Sequence, residues 1–307
     1  MEIGAIIITI AGLCLFETVS SIDNAIINAE VLGTMKPKYR RWFLIYGIFI
    51  AVIVVRGALP WLIVWAVNPT LGPVGAFMAS FSNDPHVVDS IQASAPILLV
   101  GGGTFLILLF LHWLFLEPKN YGLYGERYIE SQGVWFYAFA SIALLVIVWL
   151  ALKKDSMMAM GAVTGSTAFF ITHGFKENAE QAEQDLLTSH KSDIAKILYL
   201  EILDATFSID GVLGAFAFTL YVPLILIGNG LGAIVVRQLT VGNIERIKKY
   251  KYLKNGAMYS ILCLGVVMVL ESFAVHVPSW LSPVVTFVVV GIFFVRSVYA
   301  IRAEEAE

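Results

Sequence analysis

Apolar runs long enough to cross a bilayer recur from one end of this chain to the other and leave little sequence for a separate soluble core. They fall at 3 to 32, 42 to 66, 95 to 116, 134 to 152, 157 to 175, 194 to 220, 222 to 241, 254 to 275 and 281 to 301, giving about nine expected transmembrane helices. Composition agrees, since 58% hydrophobic and 14% charged residues is far from the mix of a soluble domain. The expected fold class is an all-α polytopic membrane protein, with the lipid bilayer as its principal partner. The first basic residue is Lys36, so the opening run lacks the basic segment of a signal peptide and reads as a retained helix.

The loops sort by charge. Lys36, Lys38, Arg40 and Arg41 follow the first span, Lys119 and Arg127 the third, Lys176 and Lys191 the fifth, and Arg246, Lys248, Lys249, Lys251 and Lys254 the seventh. The alternate loops at 67 to 94, 221 and 276 to 280 carry no Lys or Arg, with Lys153 and Lys154 the exception between spans four and five. Basic loops stay cytoplasmic, which places the N-terminus outside and the C-terminus inside a bacterial inner membrane. A near-neutral chain whose cations sit in short loops is not a nucleic-acid binder. Cys14 and Cys263 lie in apolar runs and read as packed small hydrophobes. The clusters Gly101, Gly102 and Gly103, Gly161 with Gly165, and Gly228 with Gly232 read as close helix contacts.

Acids interrupt this apolar background in a repeated pattern. "FETVSSIDNA" supplies Glu17, Ser21, Asp23 and Asn24, and "LDATFSIDGV" supplies Asp204, Ser208 and Asp210 at the same spacing. Downstream, "GIFIAVIVVRGAL" matches "GNGLGAIVVRQLT", aligning Arg56 with Arg237. The loop charges send the two copies through the membrane in opposite directions. The expected organisation is a first three-helix repeat at 1 to 116, linking helices and a cytoplasmic loop at 117 to 193, a second, inverted three-helix repeat at 194 to 276, and a final helix with a cytoplasmic tail at 277 to 307. Inverted repeats are a signature of secondary transporters, whose binding site lies near the midplane, often on discontinuous helices.

A charge at the bilayer centre costs about 2.5 to 3.5 kcal/mol, so Glu17, Asp23, Glu201, Asp204 and Asp210 need partners or a function. On an unbroken helix Glu17, Ser21 and Asn24 share a face while Asp23 points elsewhere; either the helix unwinds or two faces bind. Turn-prone Asp-Asn and Asp-Gly pairs, and a first span too long for a straight crossing, favour unwinding. Carboxylate, hydroxyl, amide and carbonyl oxygens are hard donors suited to Mg²⁺, Ca²⁺ or Mn²⁺. Four motif carboxylates less Arg56 and Arg237 leave a charge that one divalent cation balances, provided Arg237 does not snorkel to the cytoplasmic end of its helix. Glu201, one turn before Asp204, reads either as a proton carrier or as a structural hydrogen-bond partner.

At these two motifs the chain resembles the TerC membrane protein family, named for tellurium resistance and related to LysE-type transporters. The likeness covers both three-helix units. It implies an exporter of manganese or a similar divalent metal, carried as substrate and not as a resident cofactor. It also implies a metal site made by Glu17, Ser21, Asp23 and Asn24 with Asp204, Ser208 and Asp210. The chain departs from the family pattern at Ser20, where Leu is usual, at Gly211, where the second copy would carry Asn, and in its extra spans. An acidic site repels tellurite, an anion, so any resistance would be indirect.

Other stretches point to less. "HGFKENAEQAEQDLLTSH", 173 to 190, reads as a solvated helix between spans, with a metal-gathering entrance as the alternative. Asp84, His86 and Asp89 fall in a segment that reads as a turn, and His112 and His276 read as packing or interfacial residues. No nucleotide loop, zinc-protease helix or nucleophile elbow occurs, and the chain does not read as an enzyme. A divalent-cation exporter, Mn²⁺ first, working by alternating access against protons is the leading expectation. A cationic amino-acid exporter, or an assembly factor or intramembrane metalloprotein, are the alternatives.

Overall fold

The structure, a computed structural model, describes residues 3–47, 50, 56–67, 69–81, 85–188, 192–242 and 249–304. Among these the regular elements are helices: α1 Ile3–Ser20, α2 Ile22–Gly33, α3 Pro37–Trp42, α4 Arg56–Val67, α5 Gly72–Phe81, α6 Pro85–Leu116, α7 Glu126–Ser131, α8 Phe136–Leu152, α9 Ser156–Thr188, α10 Asp193–Ala215, α11 Val222–Gly242, α12 Leu253–Ser272 and α13 Leu281–Glu304. A π-helical turn, Phe43–Gly47, continues α3. Six segments among the described residues are long and apolar enough to cross a membrane: α1, Ser94–Leu116, Gly133–Leu152, Val222–Leu239, α12 and α13. The protein is an all-α polytopic membrane protein.

Helix bounds depart from the expected spans where local chemistry overrides hydropathy. The first span is split at Ser21 into α1 and α2. The segment expected as an outer loop at 67 to 94 instead holds α5 and the opening turns of α6, which starts at Pro85, a residue suited to a first helical turn. The stretch 173 to 188 continues α9, whose 33 residues extend about 50 Å and so overrun the hydrocarbon layer. Asp84, His190, Lys191, Arg246 and Lys248 lie outside the described residues, as do the side chains of His86, Asp89 and Lys176.

Helix ends are tied down individually. Arg40 donates from Nε to the Met35 carbonyl and from Nη2 to that of Gly33, both at 2.8 Å, satisfying carbonyls left open where α2 ends. Ser192 caps α10 by accepting from the Ala195 N–H, and Asp193 adds an acid in the first turn. Lys196, buried on α10, reaches back to the Thr34 hydroxyl at 2.8 Å and joins the two helices. Lys153 and Lys154, the exceptions to the charge rule, are engaged at the end of α8. Lys153 Nζ lies 3.4 Å from the centre of the Trp149 ring, and Lys154 donates to the Ser272 carbonyl at 3.2 Å.

Long helix α6 runs through the centre of the bundle against α9 and α12, while α1 lies along α11 and α13. Its buried Phe105, Leu106 and Trp113 meet Phe169, Leu264 and Met268 from these neighbours. Lipid is as apolar as Leu, so the contact must come from close packing. A Cβ on Gly161 would fall 2.7 Å from the Ile97 carbonyl, and one on Gly165 would collide with the carbonyl of Gly101. By contrast Ile142, Leu145, Val288 and Ile292, on α8 and α13, point outward and are more than half exposed, as lipid-facing side chains are.

Candidate functional site

The break after α1 sits where hydroxyl residues gather. Thr18 Oγ1 donates to the Cys14 carbonyl at 2.7 Å and Ser20 Oγ to that of Glu17 at 3.3 Å. Back-bonding of this kind bends helices, and Ser21, at φ −92° and ψ 5°, interrupts this one. Ser21 Oγ turns to the acid one turn earlier, donating to Glu17 Oε1 at 2.9 Å. The bend starts a new helix at Ile22, so Asp23 stands in a first turn, where the helix dipole favours an acid. The side chains of Asp23, Asn24 and Arg56 lie outside those described.

Glu17 is 1% exposed and is wedged between α10 and α11. A Cβ on Gly211 would lie 2.7 Å from Glu17 Oε2, and one on Gly232 2.6 Å from Glu17 Cβ, so both positions exclude a side chain. Gly211 follows Asp210, which is half-buried, so the carboxylate of the first motif packs directly on the end of the second. Asn229 on α11 closes this junction. Fully buried, it donates from Nδ2 toward the Gly211 carbonyl at 3.5 Å, and its Oδ1 accepts no hydrogen bond among the described residues. Three helices thus bring a carboxylate, a backbone carbonyl and an amide to one junction, and their oxygens are hard donors.

Asp204, the other acid of the second motif, forms a separate cluster with Glu201. Asp204 and Asp210 are six residues apart, about 9 Å along α10 and on different faces. Arg237 Nη2 lies 3.0 Å from Asp204 Oδ2 and 3.5 Å from Glu201 Oε1, all three residues being buried. Its Nη1 donates to the Phe43 carbonyl at 2.7 Å, and the guanidinium stacks 4.2 Å from the centre of the Phe43 ring. Arg237 therefore does not snorkel to the helix end; it joins α10, α11 and the π-helical turn after α3. The Gly47 backbone presses on the same cluster, and a Cβ there would collide with Glu201 Oε1 and Arg237 Nη1. The π turn brings this glycine in, as such turns often do beside functional groups. Ser208, also buried, donates to the Asp204 carbonyl at 2.6 Å.

Among the described residues no three His, Cys, Asp or Glu side chains come together closely enough to hold a metal ion by themselves. The Glu17 junction adds an amide and a carbonyl, oxygen donors of the type hard cations take. Sequence reasoning overlooked Asn229, the Phe43 carbonyl and Gly47. For Asn229 a signal existed, a lone amide flanked by glycines in an apolar run; a backbone carbonyl in a π turn leaves none. His112 is buried, as a packing residue would be, with its ring 3.7 Å from that of His173 and Nδ1 3.5 Å from Glu117.

Comparison with known proteins places the chain among relatives. A family model described as "Protein of unknown function (DUF475)" matches residues 22–304, which takes in α2 through α13 and both acid clusters apart from Glu17 and Ser21. This protein belongs to the DUF475 family. Over 105 residues it is 26% identical to the "UPF0053 inner membrane protein YgdQ" of Escherichia coli, in strain K12 and in O157:H7. That stretch is 34% of this chain and 44% of those proteins, so the match spans less than half the length of the relatives. No solved structure matches this DUF475 member.

Proposed function

We propose that this protein is an inner-membrane transporter of the TerC type that exports a hard divalent cation, Mn²⁺ foremost, by alternating access between two inverted three-helix units. One observation carries the reading: buried Glu17 of the first motif packs against Gly211 of the second where α1, α10 and α11 meet. Intramembrane carboxylates are costly and belong to ion pathways by default, and the break beside Glu17 is of the kind transporters place at their sites. The name of the Escherichia coli relatives supports the inner membrane, and the loop charges support an outside N-terminus.

In this reading Glu17 and Ser21, with Asp23 and Asn24 on the first turn of α2, form the cation's first half-site. Asp210, the Gly211 carbonyl and Asn229 face it from α10 and α11. Arg237 offsets one of the two charges of Glu201 and Asp204 and holds them apart from the junction. Glu201 is the proton carrier if transport is coupled, since weakening its 3.5 Å pair with Arg237 would let it take up a proton.

The test is net Mn²⁺ flux in proteoliposomes with the intact protein, Glu17→Gln and Asp23→Asn, each in the presence and absence of excess lysine. Flux by the intact protein alone, unaffected by lysine, is expected. Inhibition by lysine would transfer the cargo to cationic amino acids. Absence of any flux from correctly inserted protein would end the transporter reading.

A further inference from the structure

A second site is built where the segment after α6 meets the start of α12. A cavity of about 270 Å³ there is lined by Lys119, Lys251 and Lys254 together with Asn120, Asn255 and Tyr250. Among the described residues three lysines line it and no acidic residue does. The acids that pair with these lysines stand outside the lining: Glu130 at 3.4 Å from Lys119, Glu304 at 2.7 Å from Lys251 and Glu117 at 2.9 Å from Lys254.

The cavity is held open by a rigid wall. Glu126, 1% exposed, accepts from the Gly122 N–H at 2.6 Å, from Asn255 Nδ2 at 3.2 Å and from the Tyr259 hydroxyl at 2.9 Å. Asn255 also donates to the Asn120 carbonyl at 2.9 Å. Lys119 is fixed in this wall, with its side chain 1% exposed and its ammonium donating to the carbonyls of Trp113 and Glu117. Burial pushes that ammonium below its ordinary pKa despite the nearby glutamates. Lys251 and Lys254 differ. Each side chain is 32% exposed, and ion pairs this open to water exchange readily for another anion.

We propose that this cavity binds a phosphate group, with Lys251 and Lys254 as exchangeable ligands and Lys119 as the fixed charge behind them. The volume lies just below the usual range of about 300 to 1,000 Å³ for small-molecule pockets, which suits a phosphate carrying a small alcohol better than a nucleotide. That chemistry has two sources, an anionic lipid headgroup and a soluble phosphate. Basic pockets between membrane helices commonly take the first. Ile22 and Ile26 of α2 form part of the lining, so a bound phosphate would brace the helix that begins after the break at Ser21.

The experiment is thermal unfolding of the full chain in neutral detergent at constant ionic strength, titrated with inorganic phosphate, with short-chain phosphatidylglycerol, or with chloride. Stabilisation by phosphate beyond chloride, at least about tenfold weaker in Lys251→Gln/Lys254→Gln and retained in Lys251→Arg/Lys254→Arg, is expected for a soluble ligand. The same pattern with phosphatidylglycerol alone assigns the site to lipid. No stabilisation of the wild type by either, or equal stabilisation of the Gln variant, overturns the proposal. The wild-type titrations decide this even if the Gln variant does not fold.

Discussion

In the first copy of the acid motif the serine hydroxyl reaches the carboxylate of the acid, Ser21 to Glu17; in the second it reaches the acid's own backbone, Ser208 to Asp204. The helix breaks at Ser21 in the first copy and runs unbroken through Ser208 to Ala215 in the second. Asp204 and Glu201 are instead gripped by Arg237, which α11 supplies from outside the motif. Equal spacing in sequence thus yields unequal placement, across a helix break in one copy and within one helix in the other, and unequal partners. Buried carboxylates that share a guanidinium are suited to hold helices together, a role that a hydroxyl on Glu17 does not supply.

The largest effect expected from this contrast is at Arg237. Arg237→Gln leaves two buried acids without their guanidinium and should destabilise the protein by about 3 to 5 kcal/mol, read by denaturant unfolding in detergent. Combining it with Asp204→Asn should recover much of that loss. A double variant no more stable than the single one would show that the pair is not what Arg237 supplies.

Next come the serines. Ser21→Ala removes a hydrogen bond to a buried carboxylate and should lose about 1.5 to 3 kcal/mol, whereas Ser208→Ala removes a back-bond and should stay within about 0.5 kcal/mol. Equal losses in the same unfolding assay would erase the distinction between the copies. Gly211→Ala places a methyl group on Glu17 Oε2, an overpacking penalty of about 1 to 3 kcal/mol. It should depress Mn²⁺ flux, while Gly4→Ala, with open space around it, should not; flux preserved in Gly211→Ala would separate the junction from transport.

The smallest effect belongs to the charged periphery. The hydrogen bond and charge of Glu304 raise the pKa of Lys251, so the folded state holds this proton more tightly than the unfolded chain does. That contribution is complete below the ordinary Lys pKa of about 10.4 and disappears as pH climbs through the raised value. Glu304→Gln should cost a small amount of stability at neutral pH, converge with the wild type at high pH and so remove this alkaline dependence, and added salt should mimic the substitution. A stability curve with the same alkaline slope in the variant would discount the pair.

Much of this architecture was legible from hydropathy alone. Apolar length announced helices, and the glycine pairs announced their close contacts, because lipid removes every other way to bury a backbone. The acids were legible too, since lipid makes a carboxylate conspicuous. Bounds were read less well where capping and back-bonding decide them: α9 continues to Thr188 on helix-forming polar residues, and α6 starts ten residues before the apolar run. Asn229 was missed because one amide weighs little in a hydropathy window, and Phe43 because its contribution is a carbonyl.

The sequence by itself determined that this chain is a bundle of membrane helices with carboxylates at matched spacing on two of them. Those properties follow from the cost of polar groups in hydrocarbon, which each residue incurs wherever its neighbours are. Only the tertiary structure decided that Glu17 sits against Gly211 and Gly232 while Arg237 joins Glu201 and Asp204 to the Phe43 carbonyl. Partnership depends on which helices pack and at what rotation, and that is set by the glycine contacts and the break at Ser21 acting together across the bundle.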